Sequence, residues 1–387
     1  MGVRVDRAQV LAYRVAAHGL DRVADRPAVL DLGVQDTPAG SARLALANRM
    51  PTVSAALALI ASLAGDGSAT VTASEKPPGG ERFGLAWTVR GAPHVHPTAA
   101  LESLAAALWP LSDADALSKV AWQRSRLAAV GMGPVDALTE VATAMRSVVT
   151  ATMSKSEASA AVTDAVPESL TAWCEPCGSR HVFESVFRLA ALPAGLRLAA
   201  DRTPAHLTPI DGWSAIPTAA AGTGALVSAY LRFLGPARPA EVAGYLGSTR
   251  TELRRVWPGG LAEVDVDGSE AWLPESEMGA LTGVSRPRLV RLLPPSDPYL
   301  QARDRSLLVE DQAARKAVWT ALGQPGALLV DGEIAGIWRP RTSGRTLRIT
   351  VTPFRPLAAG DRKAMTDEAH LVAEVRGASK VDVVVDD

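Results

Sequence analysis

Between residues 224 and 274 the chain repeats no motif, yet the order of its segments leaves few folds open. ALVSAYLRFLG has helical spacing and stops at Gly235; ARPAEVAGYLG is a short helix stopped at Gly247. Ser248 or Thr249 then caps TRTELRRVW, and LAEVDVDGSEAWL is two alternating strands joined by Asp267-Gly268, a favoured hairpin turn. Three helices followed by a hairpin is the order of a winged helix-turn-helix. In that arrangement the third helix carries Arg250, Arg254 and Arg255, and the Asp-Gly turn is the wing tip. Asp265, Asp267 and Glu270 make this wing a poor ligand for a DNA groove.

The same rhythm occurs twice more. At the N-terminus, Val5 to Ala17 has helical spacing with a stop at Gly19, Ser41 caps ARLALANRM, and TVSAALALIASLAG is a third helical stretch. A Gly-rich, charged segment at 65–80 and the hairpin-like FGLAWTVRGAPHVHP follow. In the middle, helices are expected from Pro134 through Val149, after Ser154, and in RHVFESVFRLAAL, with GLRLAADR as a strand. From Arg288 onward, RLVRLL, SLLVE, GALLVDGEIAGIW, TLRITVTPF and VDVVVD read as strands around two helices, QAARKAVWTAL and MTDEAHLVAEVR. The expected fold is α+β: winged units at 1–130, 131–220 and 221–284, then a β-rich, barrel-like or open-sheet domain at 285–387. A length of 387 residues suits several such compact units.

Charge narrows the function. The formal net charge is −1, but residues 285–348 hold eleven Arg and Lys against six acids. Nucleic-acid binding depends on local charge, so a basic C-terminal third is compatible with a DNA surface. No run of about 18 apolar residues exists, and MGVRVDRAQV has charges where a signal peptide is apolar, so a cytoplasmic protein is expected. Phosphate-binding Gly-rich loops, H-E-x-x-H and G-x-S-x-G are absent, which removes support for nucleotide hydrolysis, dinucleotide use and common hydrolase triads. Cys174 and Cys177 are the chain's two cysteines. With His181 they resemble part of a zinc site, but structural zinc takes four ligands and no second pair exists, so no metal and no cofactor is expected.

Three further segments carry a resemblance: YRVAAHGL through VQDTPAGSARLALANR, LAWTVRGAPHVHP, and LLPPSDPYLQARDR with ALLVDGEIAGIWRPR. Together they resemble the bacterial winged-helix DNA glycosylases of the AlkZ and YcaQ type. The resemblance implies three tandem winged helices in a C-shape around DNA, closed by the β-rich element and acting as a monomer at the nucleoid. It also implies hydrolysis of the N-glycosidic bond of bulky N7-alkylpurine adducts in double-stranded DNA, some members serving antibiotic self-resistance. The family's catalytic pattern is Gln-x-Gln or Gln-x-Asp. Aligned here, Gln35 takes the first place, Asp36 the middle and Thr37 the third, a departure.

An N7-alkylated purine is already a cationic leaving group, so the remaining tasks are to place a water and stabilise a sugar cation. Gln35 and Thr37 are expected to hold that water in an open cleft, with Asp36 supplying charge; Asp-Thr-Pro is equally a turn and cap sequence. His94 and His96, two apart on an extended hairpin, are candidates to contact phosphate or water, or are ordinary turn residues. Arg339, Arg341 and Arg345, around a hairpin tip at Gly344, are candidate phosphate contacts, with a solvated turn as the other reading. Arg303 and Arg305 flank Asp304 and are either DNA contacts or part of an internal ion-pair cluster. A non-catalytic DNA-binding protein, suggested by Thr37, and a protein-docking scaffold are the competing functions.

Overall fold

The computed structural model describes residues 2–61, 81–200 and 202–386. Helix Thr223–Leu234, helix Pro239–Leu246, helix Arg250–Arg254 and the hairpin Leu261–Val266/Ser269–Pro274 follow in the expected order. Thr249 caps the third helix by accepting from the Glu252 N–H, and the turn residues Asp267 and Gly268 have φ of 47° and 84°. Such a pair of left-handed residues is what a tight hairpin turn demands. One strand is absent from the sequence-based expectation: Val3–Val5 pairs in parallel with Leu261–Val266, tying the N-terminus to this unit. Helix Arg7–Ala17 then starts at Asp6, whose carboxylate accepts the Gln9 N–H at 2.7 Å.

The first two stretches share one sheet. Its six strands run in the order Val34–Gln35, Pro93–Pro97, Phe83–Trp87, Leu196–Leu198, His206–Pro209, Met153–Ser154. The helices around it are Ser41–Ala47 and Val53–Ala61 on the N-terminal side and Pro134–Val148, Lys155–Ala165 and Glu184–Ala191 in the middle. Lys155–Ala165 opens with a capping box between Ser154 and Glu157. Gly40, with φ of 86°, precedes the helix for which Ser41 was the expected cap. The Gly-rich turns expected at 65–80 lie outside the described residues. A second hairpin, Thr171–Cys174/Ser179–Val182, occupies the start of what read as one helix, RHVFESVFRLAAL.

The C-terminal unit is an open sheet and not a barrel. Its five strands run Val290–Leu293, Gly326–Val330, Glu333–Ser343, Thr346–Pro353, Lys380–Val385, and the first and last do not pair. Helix Ala359–Val375 crosses between the last two strands, which makes their pairing parallel, and it packs beside Val290–Leu293. SLLVE, expected as a strand, is instead helix Arg305–Leu308; a run of four or five apolar residues does not distinguish the two.

Buried ion pairs bind this sheet to the N-terminal helices. Arg49 and Asp297 are both fully buried, with N–O distances of 2.9 and 2.7 Å. Arg14, also fully buried, pairs with Asp304 at 2.5 Å, and Arg22 and Arg291 meet on Glu368. Asp304 is therefore an internal partner, as one reading of Arg303-Asp304-Arg305 required. Among the described residues, no helix is long and apolar enough to cross a membrane.

Candidate active site

The segment 33–42 is shaped by two glycines and one carboxylate. A Cβ on Gly33, which has φ of 94°, would lie 2.2 Å from the His96 imidazole, so only glycine lets the chain pass over that ring. Val34 then pairs with Val95 and Gln35 with His94, and the Asp36 N–H donates to Pro93 O at 2.9 Å. After Thr37 and Pro38 the chain turns at Gly40 into helix Ser41–Ala47. Asp36 Oδ1 accepts the Ala42 N–H at 2.9 Å, which satisfies an orphan donor at the helix start and fixes the carboxylate.

A cleft of about 920 Å³ opens beside this turn, with Asp36, Thr37 and Gly40 in its wall. Leu85, Trp87 and Val95 line it from the sheet, and Thr342 and Arg376 reach it from the C-terminal unit. Arg43, Lys155, Arg188 and Arg202 add positive charge, against the acids Asp36 and Glu374. Glu184 holds two of these cations, Lys155 at 2.8 Å and Arg188 at 2.5 Å, and the Arg188 guanidinium lies over the Trp87 ring. Sequence reasoning missed all of these cations. They come from separate segments, each an unremarkable Arg or Lys in its own helix or loop.

Gln35 does not line this cleft. Neighbouring residues on a strand face opposite ways, so Val34 shares the cleft face with its partner Val95, while Gln35 lies on the other face opposite His94. Only 9 % of Gln35 is exposed, and its Oε1 is buried with no hydrogen-bond partner among the described residues. The expected open position for this amide is thus corrected by strand alternation.

His94 and His96 lie on that same inner face, with ring centroids 6.0 Å apart. His94 Nδ1 donates to Ala92 O at 2.9 Å, and His96 Nε2 is 3.2 Å from Thr88 Oγ1. Burial, with help from His96, pushes His94 down to about 3, and burial pushes His96 down to about 4. Both rings are neutral at physiological pH and 3 % exposed or less, so as they stand neither meets a phosphate.

One arginine acts on this inner face, and two more act on that arginine. Arg90 feeds the field at His94; burial and then Arg303 lower it to about 10, and its Nη2 donates to Gln301 at 3.0 Å. Arg303 is itself pushed down by burial, its backbone N–H donates to Tyr230 Oη, and Arg305 stacks over the Trp319 ring at 5.0 Å. Arg339 and Arg341 are exposed on strand Glu333–Ser343, and Arg345 follows Gly344 at the tip. Alternation turns Arg341 toward Arg348 and away from the face that sends Thr342 into the cleft. The candidates therefore form three groups: Asp36 and Thr37 on the cleft, Gln35, His94 and His96 behind the sheet toward Arg303 and Arg305, and Arg339, Arg341 and Arg345 on the hairpin.

Residues 31–375 match the family described as DNA glycosylase AlkZ-like. Among solved structures, the fold is similar to that of the Streptomyces sahachiroi DNA glycosylase AlkZ, with a TM-score of 0.73 and 20 % identity over 99 % of this chain and 100 % of that one. No curated protein matches. The family match spans the Gln35 to Thr37 segment, nearly all of the cleft lining and most of the C-terminal sheet. The chain belongs to the AlkZ-like DNA glycosylase family.

Proposed function

We propose that this DNA glycosylase hydrolyses the N-glycosidic bond of bulky N7-alkylpurine adducts, with the turn at Asp36 and Thr37 as its catalytic edge. The observation that carries the reading is that these two polar side chains line a roomy, cation-bearing cleft of about 920 Å³. Such a volume suits a large adduct better than a close-fitting pocket for one flipped base does. The departing purine is cationic and needs no proton donor, so rate depends on stabilising positive charge at the sugar and aiming a water. Asp36, held by Ala42 N–H, supplies the negative field; the Thr37 hydroxyl orients the water. Gln35 supports them from behind, as the strand residue that pairs with His94 and sets the turn.

In this reading Arg43, Lys155, Arg188 and Arg202 hold phosphates at the lesion, and Arg339, Arg341 and Arg345 engage flanking duplex as a basic hairpin. Arg303 and Arg305, set apart from the cleft, contact duplex beyond the lesion. Winged units at 1–130, 131–220 and 221–284 and the sheet domain at 285–387 act as one monomeric C-shaped clamp in the cytoplasm, at the nucleoid. Bulky adducts of this kind are what an antibiotic alkylator leaves in its producer's own DNA, so self-resistance belongs to the proposal.

The test is a duplex carrying one defined N7-guanine adduct, scored for alkali-labile abasic sites. Wild type yields them. Asp36→Asn keeps an oxygen to cap Ala42 but loses the charge, and its single-turnover rate falls about 100-fold, the typical loss for one electrostatic group. Full activity in Asp36→Asn, or no product from wild type with any bulky adduct, overturns the mechanism.

A further inference from the structure

We infer that Cys174, Cys177 and His181 form a site for a divalent transition metal, zinc(II) foremost, at the tip of the hairpin Thr171–Cys174/Ser179–Val182. One ligand atom from each residue lies within 4.8 Å of the other two. The backbone is built for this convergence. Cys174-Glu-Pro-Cys177 closes a short turn, Gly178 takes φ of 60°, and the Gly178 N–H donates to Cys174 O at 2.9 Å. Both sulfurs thus come to the same side, and the pairing of Ala172 with His181 brings the imidazole back beside them.

A second observation points to a ligand. His181 Nδ1 is buried and has no hydrogen-bond partner, while Nε2 sits 3.3 Å from Ser179 Oγ. A buried nitrogen left unsatisfied is costly, and a metal bond to one nitrogen with a hydrogen bond to the other is the usual environment of a ligating histidine. The sequence alone argued against metal because it holds no second cysteine pair, and among the described residues no fourth His, Cys, Asp or Glu joins the group. Two thiolates, one imidazole and a water still complete a tetrahedron around zinc. On binding, each thiol releases its proton to solvent, so two protons leave for every ion held. The hairpin lies between helix Lys155–Ala165 and helix Glu184–Ala191, and the second of these carries Glu184, which holds Lys155 and Arg188 at the cleft. The site lies apart from the glycosylase turn and does not depend on how that turn works.

Cobalt(II) added to the reduced full-length protein tests this. The expected result is a thiolate-to-cobalt charge-transfer band with tetrahedral visible absorption, saturating at one ion per chain and displaced by zinc(II). Cys177→Ser and His181→Ala each weaken cobalt binding by at least about tenfold. Zinc(II) also slows hydrogen exchange of the hairpin amides in wild type, a readout that no variant's folding can spoil. Octahedral cobalt only, two thiols that stay equally reactive with zinc present, or affinity unchanged in His181→Ala overturns the inference.

Discussion

Removing the Asp297 carboxylate should cost this protein far more stability than deleting a charge from any of its exposed ion pairs. Arg49 and Asp297 are both 0 % exposed, and Arg49 Nη1 and Nη2 reach separate carboxylate oxygens at 2.9 and 2.7 Å. The pair is also anchored: Nη1 donates to Ala45 O at 2.7 Å, and the Tyr299 N–H donates to Asp297 Oδ1 at 2.9 Å. In Asp297→Ala the guanidinium keeps Ala45 O and the 3.3 Å contact with His18 Nδ1 but loses its counter-charge in a fully buried site. Two lines of reasoning agree on the cost. Breaking one side of a buried pair costs about 3 to 5 kcal/mol, and a unit charge pair at about 4 Å is worth about 4 kcal/mol at an effective dielectric of about 20. Urea denaturation followed by tryptophan fluorescence measures it. The double variant Arg49→Met/Asp297→Leu removes both charges, so it should lose less than half of what the single loses. A loss below about 1 kcal/mol in Asp297→Ala, or additive losses in the double, refutes the view that this pair joins the two halves of the chain.

Acid should weaken the fold through its buried histidines. His18, His94 and His96 are buried and neutral; burial, then Arg49, holds His18 well below its ordinary range, and the other two sit at about 3 and about 4. The unfolded chain takes up protons below about pH 6.5 that the folded chain refuses, so stability is complete above that pH and falls as pH drops toward 4. The slope is up to about 1.4 kcal/mol per pH unit for each histidine, and equal urea midpoints at about pH 7.5 and pH 5.5 would contradict it. Reversing the exposed cleft residue in Arg202→Glu should weaken binding to undamaged duplex and lower the salt slope of log K by about 1; an unchanged slope removes Arg202 from the DNA surface. Gly33→Ala should destabilise by about 2 kcal/mol or more, because its methyl meets His96, whereas Gly40→Ala, with open space around its Cβ, should lose only about 1 kcal/mol of backbone strain. Similar thermal shifts in the two variants would show that His96 yields freely.

The parts of the fold that could be read from the chain are those where local chemistry and tertiary position agree. Gly235, Gly247, Thr249 and Asp267-Gly268 punctuate residues 223–274 so strongly that little else fits. The misreadings arise where a choice is made by distant partners. Whether SLLVE becomes strand or helix depends on the turn at Asp304, whose carboxylate belongs to Arg14 nearly three hundred residues earlier. Whether five strands close depends on their edges, and here the outer strands Val290–Leu293 and Lys380–Val385 stay unpaired with each other while helix Ala359–Val375 packs beside the first of them.

The same distinction separates the two kinds of residue that carry the family resemblance. ALANR and SDPYLQARDR are recognisable, and in the structure Arg49 meets Asp297 while Arg14 meets Asp304. Such buried pairs tolerate few substitutions because one partner alone is costly, so their legibility reports packing. Gln35-Asp36-Thr37 is legible for a different reason, yet its sequence is silent about which member faces the cleft. A two-residue strand has no hydrophobic pattern to set its phase; the pairing of Gln35 with His94 sets it, and Gly33 over His96 keeps it there. If that register slipped by one residue, Gln35 would enter the cleft and Asp36 would leave Ala42. Asp36→Asn and Gly33→Ala therefore probe one arrangement from its two ends, and a glycosylase that lost rate in the first but was indifferent to the second would not be working through this turn.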